Sequence, residues 1–309
     1  MHWTKQGVSV RAPASSANLG PGFDCFGLAL GLHDTIEMAV MPAGLQVEVR
    51  GEGAEELHRD ERHLVVRAAR AAFESLGRQP PGLRLRCHNA VPHGRGLGSS
   101  AAAIVAGVVA ARTLVEYSEP GSGAALEGAR ALELATGLEG HPDNVAAALL
   151  GGCTLAWTEQ AVPKAIRVAP VVSAVAMVPE RAVSTAVARG LLPADVPHRV
   201  AAANSARAGL LAIALTSRPD LLHAATADQL HQNYREPAMP DSIALVRRLR
   251  EAGHAAVISG AGPSVLVIGN AAVTGSPPGR DTIDVLAAHA PGWQTLGLMV
   301  DLDGVRVIT

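Results

Sequence analysis

Apolar and polar residues alternate from Val8 to Arg11, the two-residue period of a half-buried strand. Further short strands are expected over 27–40, 45–50 and 83–88, with an amphipathic helix over 62–76 between the last two. From 100 to 117 the chain reads as a long Ala/Val/Ile helix for the interior. Helical spacing recurs over 124–136, and again from Pro142, which suits a first helical turn, to the Gly151-Gly152 stop. A strand at 153–158 follows. The second half predicts strands over 166–178, 255–259 and 264–268, helices over 182–190, 198–216, 219–231 and 240–252, then a closing helix and two short strands. The strands are too few for a large doubly wound sheet, so the pattern predicts an α+β architecture with helices against antiparallel sheet. Val162-Pro163 marks a boundary between domains 1–160 and 161–309, and the polar stretch Asn270 to Arg280 reads as a surface loop.

At 309 residues the chain can bury two cores of ordinary size. A net charge of −2 offers no electrostatic case for nucleic acid or an acidic membrane, which leaves small molecules as the expected ligands. Cys25, Cys87 and Cys153 have no metal-ligand spacing and read as buried thiols. Met1 to Gln6 lacks a signal-peptide core, and the apolar run from Ala101 to Ala111 is too short to span a bilayer. A soluble, cytoplasmic protein is expected.

Candidate chemistry is concentrated in the run from Val91 to Ala103. Glycines at 94, 96 and 98 permit positive φ and let several N–H groups converge on an anion, while the following helix aims its positive end at the same point. Ser99 and Ser100 can reach a phosphate oxygen or its magnesium ion. A glycine-rich turn before a buried helix would read alike; the alternating glycines, the paired hydroxyls and the stiff Pro92 favour phosphate. It is not a Walker loop, because the only lysines are Lys5 and Lys164. A magnesium ion would need a carboxylate from another helix, and Glu133 is the candidate. His141 either caps a helix or works beside Asp143 and Asn144. Pro13 to Asp24, rich in turn formers, reads as a ligand-holding loop, and Ser259 to Ser264 as a tight turn able to approach a ligand.

Three segments, Pro13 to Asp24, Pro92 to Ala103 and Ser259 to Ser264, resemble in order and spacing the three motifs of the GHMP kinases, ATP-dependent kinases of small molecules. Ser16 to Asp24 and His231-Gln232-Asn233-Tyr234-Arg235 are most similar to members that act on L-homoserine. The resemblance implies an N-terminal domain like the second domain of ribosomal protein S5 and a C-terminal ferredoxin-like domain, with ATP between them. It assigns the phosphates to Pro92, His93, Gly94, Arg95, Gly96, Leu97, Gly98, Ser99, Ser100, Ala101 and Ala102, and Mg2+ to Ser100 and Glu133. The amino-acid site would comprise Asn18, Asp24, His141, Asn144, Thr185, Arg189 and Arg235, with Asp24, His141, Asn144 and Arg189 closest to the chemistry. In this reading the arginines grip the carboxylate and Asp24 the ammonium, while Asn18, His141 and Asn144 orient the hydroxyl.

Many members carry an aspartate as general base where this chain has Asn144. Alignment and charge neutralisation would then carry an in-line transfer to O-phospho-L-homoserine, a step of threonine biosynthesis. A homodimer is implied. His63 stands where the family more often has asparagine, and Asn233 where proline is common. A kinase of this fold for mevalonate, a sugar or a diphosphocytidyl substrate is the nearest alternative, and a binding protein without catalysis the next. The paired arginines argue against the first and the intact glycine loop against the second.

Overall fold

A computed structural model describes residues 2–271 and 276–308; the middle of the loop expected over 270–280 lies outside the described residues. The first strand, β1 (Val8–Asn18), begins with the expected alternation but continues through the segment that its turn formers marked as loop. Ala14, Ser15, Ser16 and Ala17 are small enough to be fully enclosed, and the chain pairs there with β2 (Gly22–Met41). Register shifts after Pro13 and Ala17 absorb the irregularity, which is where a strand tolerates a residue without an N–H. Next come β3 (Gly44–Gly51), α1 (Leu64–Ser75), β4 (Gly82–Asn89), α2 (Ser99–Ser118), α3 (Ala129–Glu139), α4 (Pro142–Leu150), β5 (Cys153–Glu159) and β6 (Val162–Val168).

These strands form one sheet in the order β11-β1-β2-β4-β3, with β5 on β2 and β6 on β5; β11 (Arg306–Ile308) is the returning C-terminus. Among the described residues only β3 and β4 pair in parallel. The helices α1 to α4 cover one face. In α1 the buried positions Val65, Val66, Ala69, Ala72 and Phe73 recur at helical spacing. α2 is long and apolar because it is the central core helix, and Gly107 brings its backbone against Val65 of α1.

The expected boundary at 160/161 falls inside the β5–β6 hairpin. The change of sheet comes after Val168, so the strand expected over 166–178 is two strands of different sheets, β6 and β7 (Val172–Val178). The remaining elements are α5 (Thr185–Gly190), α6 (His198–Thr216), α7 (Leu222–Ala225), α8 (Pro240–Glu251), β8 (Ala255–Ile258), β9 (Val265–Asn270), α9 (Arg280–Ala287) and β10 (Gln294–Leu298). Their sheet order β10-β7-β9-β8, all antiparallel, is the 4-1-3-2 order of a split βαβ unit, which gives the expected ferredoxin-like half. The two sheets share a core. Leu19, Phe26, Leu28 and Leu30 of the first half pack with Ala174, Ala176, Leu266 and Ile268 of the second sheet and with Leu211 and Leu215 of α6.

Two expected helices shift, and one shift matters for chemistry. The helix expected over 124–136 is a short turn at 123–126 followed by α3, because Gly128 adopts φ 52° and ψ −118° and interrupts it. α3 therefore starts and ends about a turn later, reaching Glu139. The helix expected over 219–231 stops at Ala225, because the Asp228 carboxylate accepts the N–H groups of Leu230, His231 and Gln232 and rounds the chain into a turn.

Candidate active site

Between the halves lies a cavity of about 220 Å3 walled by the glycine loop, the ends of β1, α3 and α4, α5, Arg235 and the 259–264 turn. The glycine loop is held from outside. Ser259 Oγ donates to Gly96 O at 2.6 Å and Ser15 N to Leu97 O at 3.0 Å. Gly96 and Gly98 have φ of 74° and 68°. A Cβ at 96 would collide with Ser259 O and one at 98 with Ser15 Oγ, so both positions exclude side chains for steric as well as conformational reasons. Gly98 hands the chain into α2 with Ser99 and Ser100 at the helix's positive end, facing the cavity. Of the residues assigned to the phosphates, Pro92, His93, Arg95, Leu97, Ala101 and Ala102 do not line it. Leu97 is buried in the core between the sheets, and the Arg95 guanidinium is spent on the backbone carbonyls of His93 within the loop and of Pro179 and Glu180 beyond it.

The carboxylate beside Ser100 is Glu139, not Glu133. Ser100 Oγ donates to Glu139 Oε1 at 2.6 Å, and both residues line the cavity. Glu133 sits six residues earlier on α3, exposed to solvent. The correction follows from the helix shift: with α3 carried through to Glu139 and ended by Gly140 at φ 97°, the terminal residue meets the start of α2. Burial raises the Glu139 carboxyl above its ordinary value, partly offset by the Ser100 bond and His141. A desolvated carboxylate and a hydroxyl at a phosphate-binding helix end form a hard-oxygen pair suited to one Mg2+ that keeps waters and nucleotide oxygens as its other ligands. No cluster of three or more His, Cys, Asp or Glu among the described residues would hold a metal alone.

The head of α4 presents three polar side chains. His141 Nδ1 lies 2.9 Å from Asp143 Oδ1, and that buried carboxylate also accepts Asn144 N at 2.7 Å. The Asp143 bond raises the His141 pKa against the opposing effect of burial. Ser15 Oγ donates to Asn144 Oδ1 at 3.0 Å, which leaves the Asn144 amide N–H2 toward the cavity. Asp143 is thus the partner beside which His141 is expected to work, whereas Ser15 has no role assigned from the sequence; a serine inside a strand carries no signal until its register is known.

Opposite α4 lies the charged corner. Asn18, Leu19 and Asp24 take positive φ of 70°, 48° and 55°, and the turn they make is closed by Asp24 N donating to Asn18 Oδ1 at 2.9 Å. Asn18 Nδ2 in turn donates to Gly260 O at 2.8 Å, so this amide mainly shapes the turn. Arg189 of α5 makes a bidentate pair with Asp24 at 2.6 and 3.0 Å. Arg235 is 1% exposed, donates once to Gly260 O at 2.8 Å, and has its Nε buried without a partner. Burial and the neighbouring Arg189 push its pKa down to about 10, so it remains a cation at neutral pH. Both guanidinium groups lie near the face of Phe23, 5.6 and 5.8 Å from the ring centre. Thr185 opens α5 and also lines the cavity.

A second, mostly apolar cavity of about 170 Å3 lies on the other side of Ser99 and Ser100, lined in part by Ile36, Leu57, Leu64, Val65 and Ala103. His63 borders it, 5% exposed, with both ring nitrogens buried and unpartnered. Burial and the nearby His93 and His58 lower its pKa, so the ring is neutral and carries one donor and one acceptor. A largely apolar slot bordered by the rings of His63 and His93 and by Asp34 and Asn89, beside a phosphate loop, fits a nucleobase.

Residues 63–152 match the family profile described as GHMP kinases N terminal domain, and 206–274 that of GHMP kinases C terminal. The homoserine kinases of Streptomyces avermitilis and Leifsonia xyli are 54% and 49% identical to the chain. Each alignment covers 97% of the chain, and 95% and 91% of the respective relative. The chain belongs to the GHMP kinases, in their homoserine kinase branch. The crystal structure of homoserine kinase from Cytophaga hutchinsonii superposes with a TM-score of 0.83 over 100% of this chain and 99% of that one, at 24% identity, which shows the shared fold. As a family member the chain is an ATP-dependent kinase acting on an alcohol group.

Proposed function

We propose that the enzyme transfers the γ-phosphate of ATP to the side-chain hydroxyl of L-homoserine, giving O-phospho-L-homoserine and ADP for threonine biosynthesis. The observation that carries this reading is one cavity that holds the phosphate loop together with Arg189 and Arg235, the first of them paired with Asp24, in a chain 54% identical to a homoserine kinase. Arg235 and Arg189 take the carboxylate and Asp24 the ammonium, with Thr185 beside them. The side-chain hydroxyl then extends toward Asn144 and the glycine loop. Asn144 donates to the reacting oxygens, oriented by Ser15, and His141, whose bond to Asp143 favours its charged form, faces the region where phosphate negative charge gathers.

Ser100 and Glu139 would hold Mg2+, which neutralises phosphate charge when bound. The base occupies the His63 slot. Among the described residues each carboxylate near the cavity already has a partner: Asp24 pairs with Arg189, Asp143 with His141 and the α4 backbone, and Glu139 with Ser100. Alignment and charge therefore carry the transfer. The enzyme works as a soluble cytoplasmic homodimer, with neither nucleic acid nor membrane as partner.

The test is ADP release with Mg·ATP across L-homoserine, L-serine, L-threonine, mevalonate and galactose. Turnover confined to L-homoserine is expected; preferred turnover of mevalonate or galactose would assign the arginines another role.

A further inference from the structure

Arg95 sits in the middle of the phosphate loop, yet its charge points out of it. Nε donates to Pro179 O at 2.9 Å, one Nη to His93 O at 2.8 Å, and the other to Glu180 O. The acceptors are backbone carbonyls of two segments, the loop itself and the chain just after β7. A further bond joins the same segments, from Val183 N to Gly94 O at 3.0 Å, and Ala182 packs close over Gly94. From there the chain runs directly into α5 with Thr185 and Arg189. Residues 180–187 are otherwise mostly exposed, and Ala188 is the one buried side chain of α5. Besides the packing of Val183 and Ala188 against the core of the second sheet, the strap is held over the cavity by the Arg95 fork, the Val183 bond and the Arg189–Asp24 pair.

We propose that Arg95 is a positioning residue that couples the two substrate sites. When nucleotide settles on the glycine loop, the Arg95 bonds to Pro179 O and Glu180 O, braced by the third bond to His93 O within the loop, transmit its position to the strap, so that Thr185 and Arg189 are already placed for the amino acid. The linkage is reciprocal: the amino acid tightens nucleotide binding by the same factor. Lysine would not substitute, because one ammonium cannot span the planar fork that guanidinium offers to three carbonyls. The proposal rests on the reading of Thr185 and Arg189 as amino-acid ligands.

Calorimetric titration of the full chain with Mg2+ and a non-hydrolysable ATP analogue, with and without saturating L-homoserine, and of L-homoserine with and without the analogue, tests it. Wild type is expected to show mutual tightening within the usual range of about 5- to 150-fold. In Arg95→Lys and Arg95→Met the factor is expected to fall close to one, while affinity for the analogue alone changes by less than about threefold. Loss of analogue affinity with coupling retained would make Arg95 a phosphate ligand, and restoration of coupling by lysine would make it a point charge; either overturns the proposal. So does a wild type that binds both ligands independently. Failure of wild type to bind L-homoserine at all would count instead against the substrate assignment. Arg95→Lys preserves the stem and charge, so it separates the fork from folding if Arg95→Met does not fold.

Discussion

Glu139 illustrates how one residue carries both a cost and a function. Its half-buried carboxyl is raised above the ordinary 4.5, so the stabilising contribution of the protonated form is present below that value and is lost as pH rises through the raised folded value. At neutral pH the ionised side chain is a liability in the ligand-free protein and an asset once a cation arrives. Glu139→Gln is therefore expected to melt higher than wild type near pH 7 without Mg2+, with that advantage gone well below pH 4.5. The same variant should lose about 100-fold or more in Mg-dependent kcat/KM, the scale of removing one group that positions and neutralises phosphate charge. Glu133→Gln, on the exposed face, should match wild type in both melting and turnover. Equal losses in the two variants would refute the Ser100–Glu139 site. The choice between the two glutamates was not legible from the sequence, because it turns on where α3 starts and ends, and those points are set by the backbone angles at Gly128 and Gly140.

At the scale of elements, the phosphate loop was legible because glycine spacing, two serines and an apolar helix are local features. What escaped was the strand character of Pro13 to Asn18, since turn formers in an enclosed strand look like a loop until the second sheet that encloses them is known. The loop and that strand also constrain each other. Gly98 leaves no room for a methyl group beside Ser15, whose hydroxyl in turn orients Asn144. Gly98→Ala is expected to cost at least about 2 kcal/mol of stability through positive φ and collision together. Turnover should fall by more than the KM for L-homoserine rises, as denaturant melts and steady-state kinetics on one preparation would show. Ordinary melting with a normal kcat would mean that the loop tolerates a side chain and does not bind phosphate through its backbone.

Across the whole molecule the two halves are interleaved, which a boundary drawn from composition could not anticipate. The C-terminal strand β11 returns to pair with β1, and the loop before it is pinned by Asp301, which accepts from Asp303 N and Gly304 N at 2.9 and 2.7 Å and pairs with His33. Asp301→Ala removes three bonds to a buried carboxylate and should destabilise the protein by about 2–4 kcal/mol, read by urea unfolding as one shared transition. Two separate transitions would show halves that fold apart.

The cavity between those halves is where the arginines meet the phosphate loop, and its use is tested most directly by comparing kcat/KM for L-homoserine with that for 3-aminopropan-1-ol, the same molecule without its carboxylate, in wild type and in Arg235→Met. A charge-assisted bond to a buried guanidinium contributes about 1.5–3 kcal/mol, or roughly 10- to 100-fold. Wild type is expected to favour L-homoserine by at least that factor, and Arg235→Met to lose most of the preference while keeping residual turnover of the amino alcohol. An unchanged preference in the variant would contradict the carboxylate clamp and with it the placement of the amino acid in this cavity.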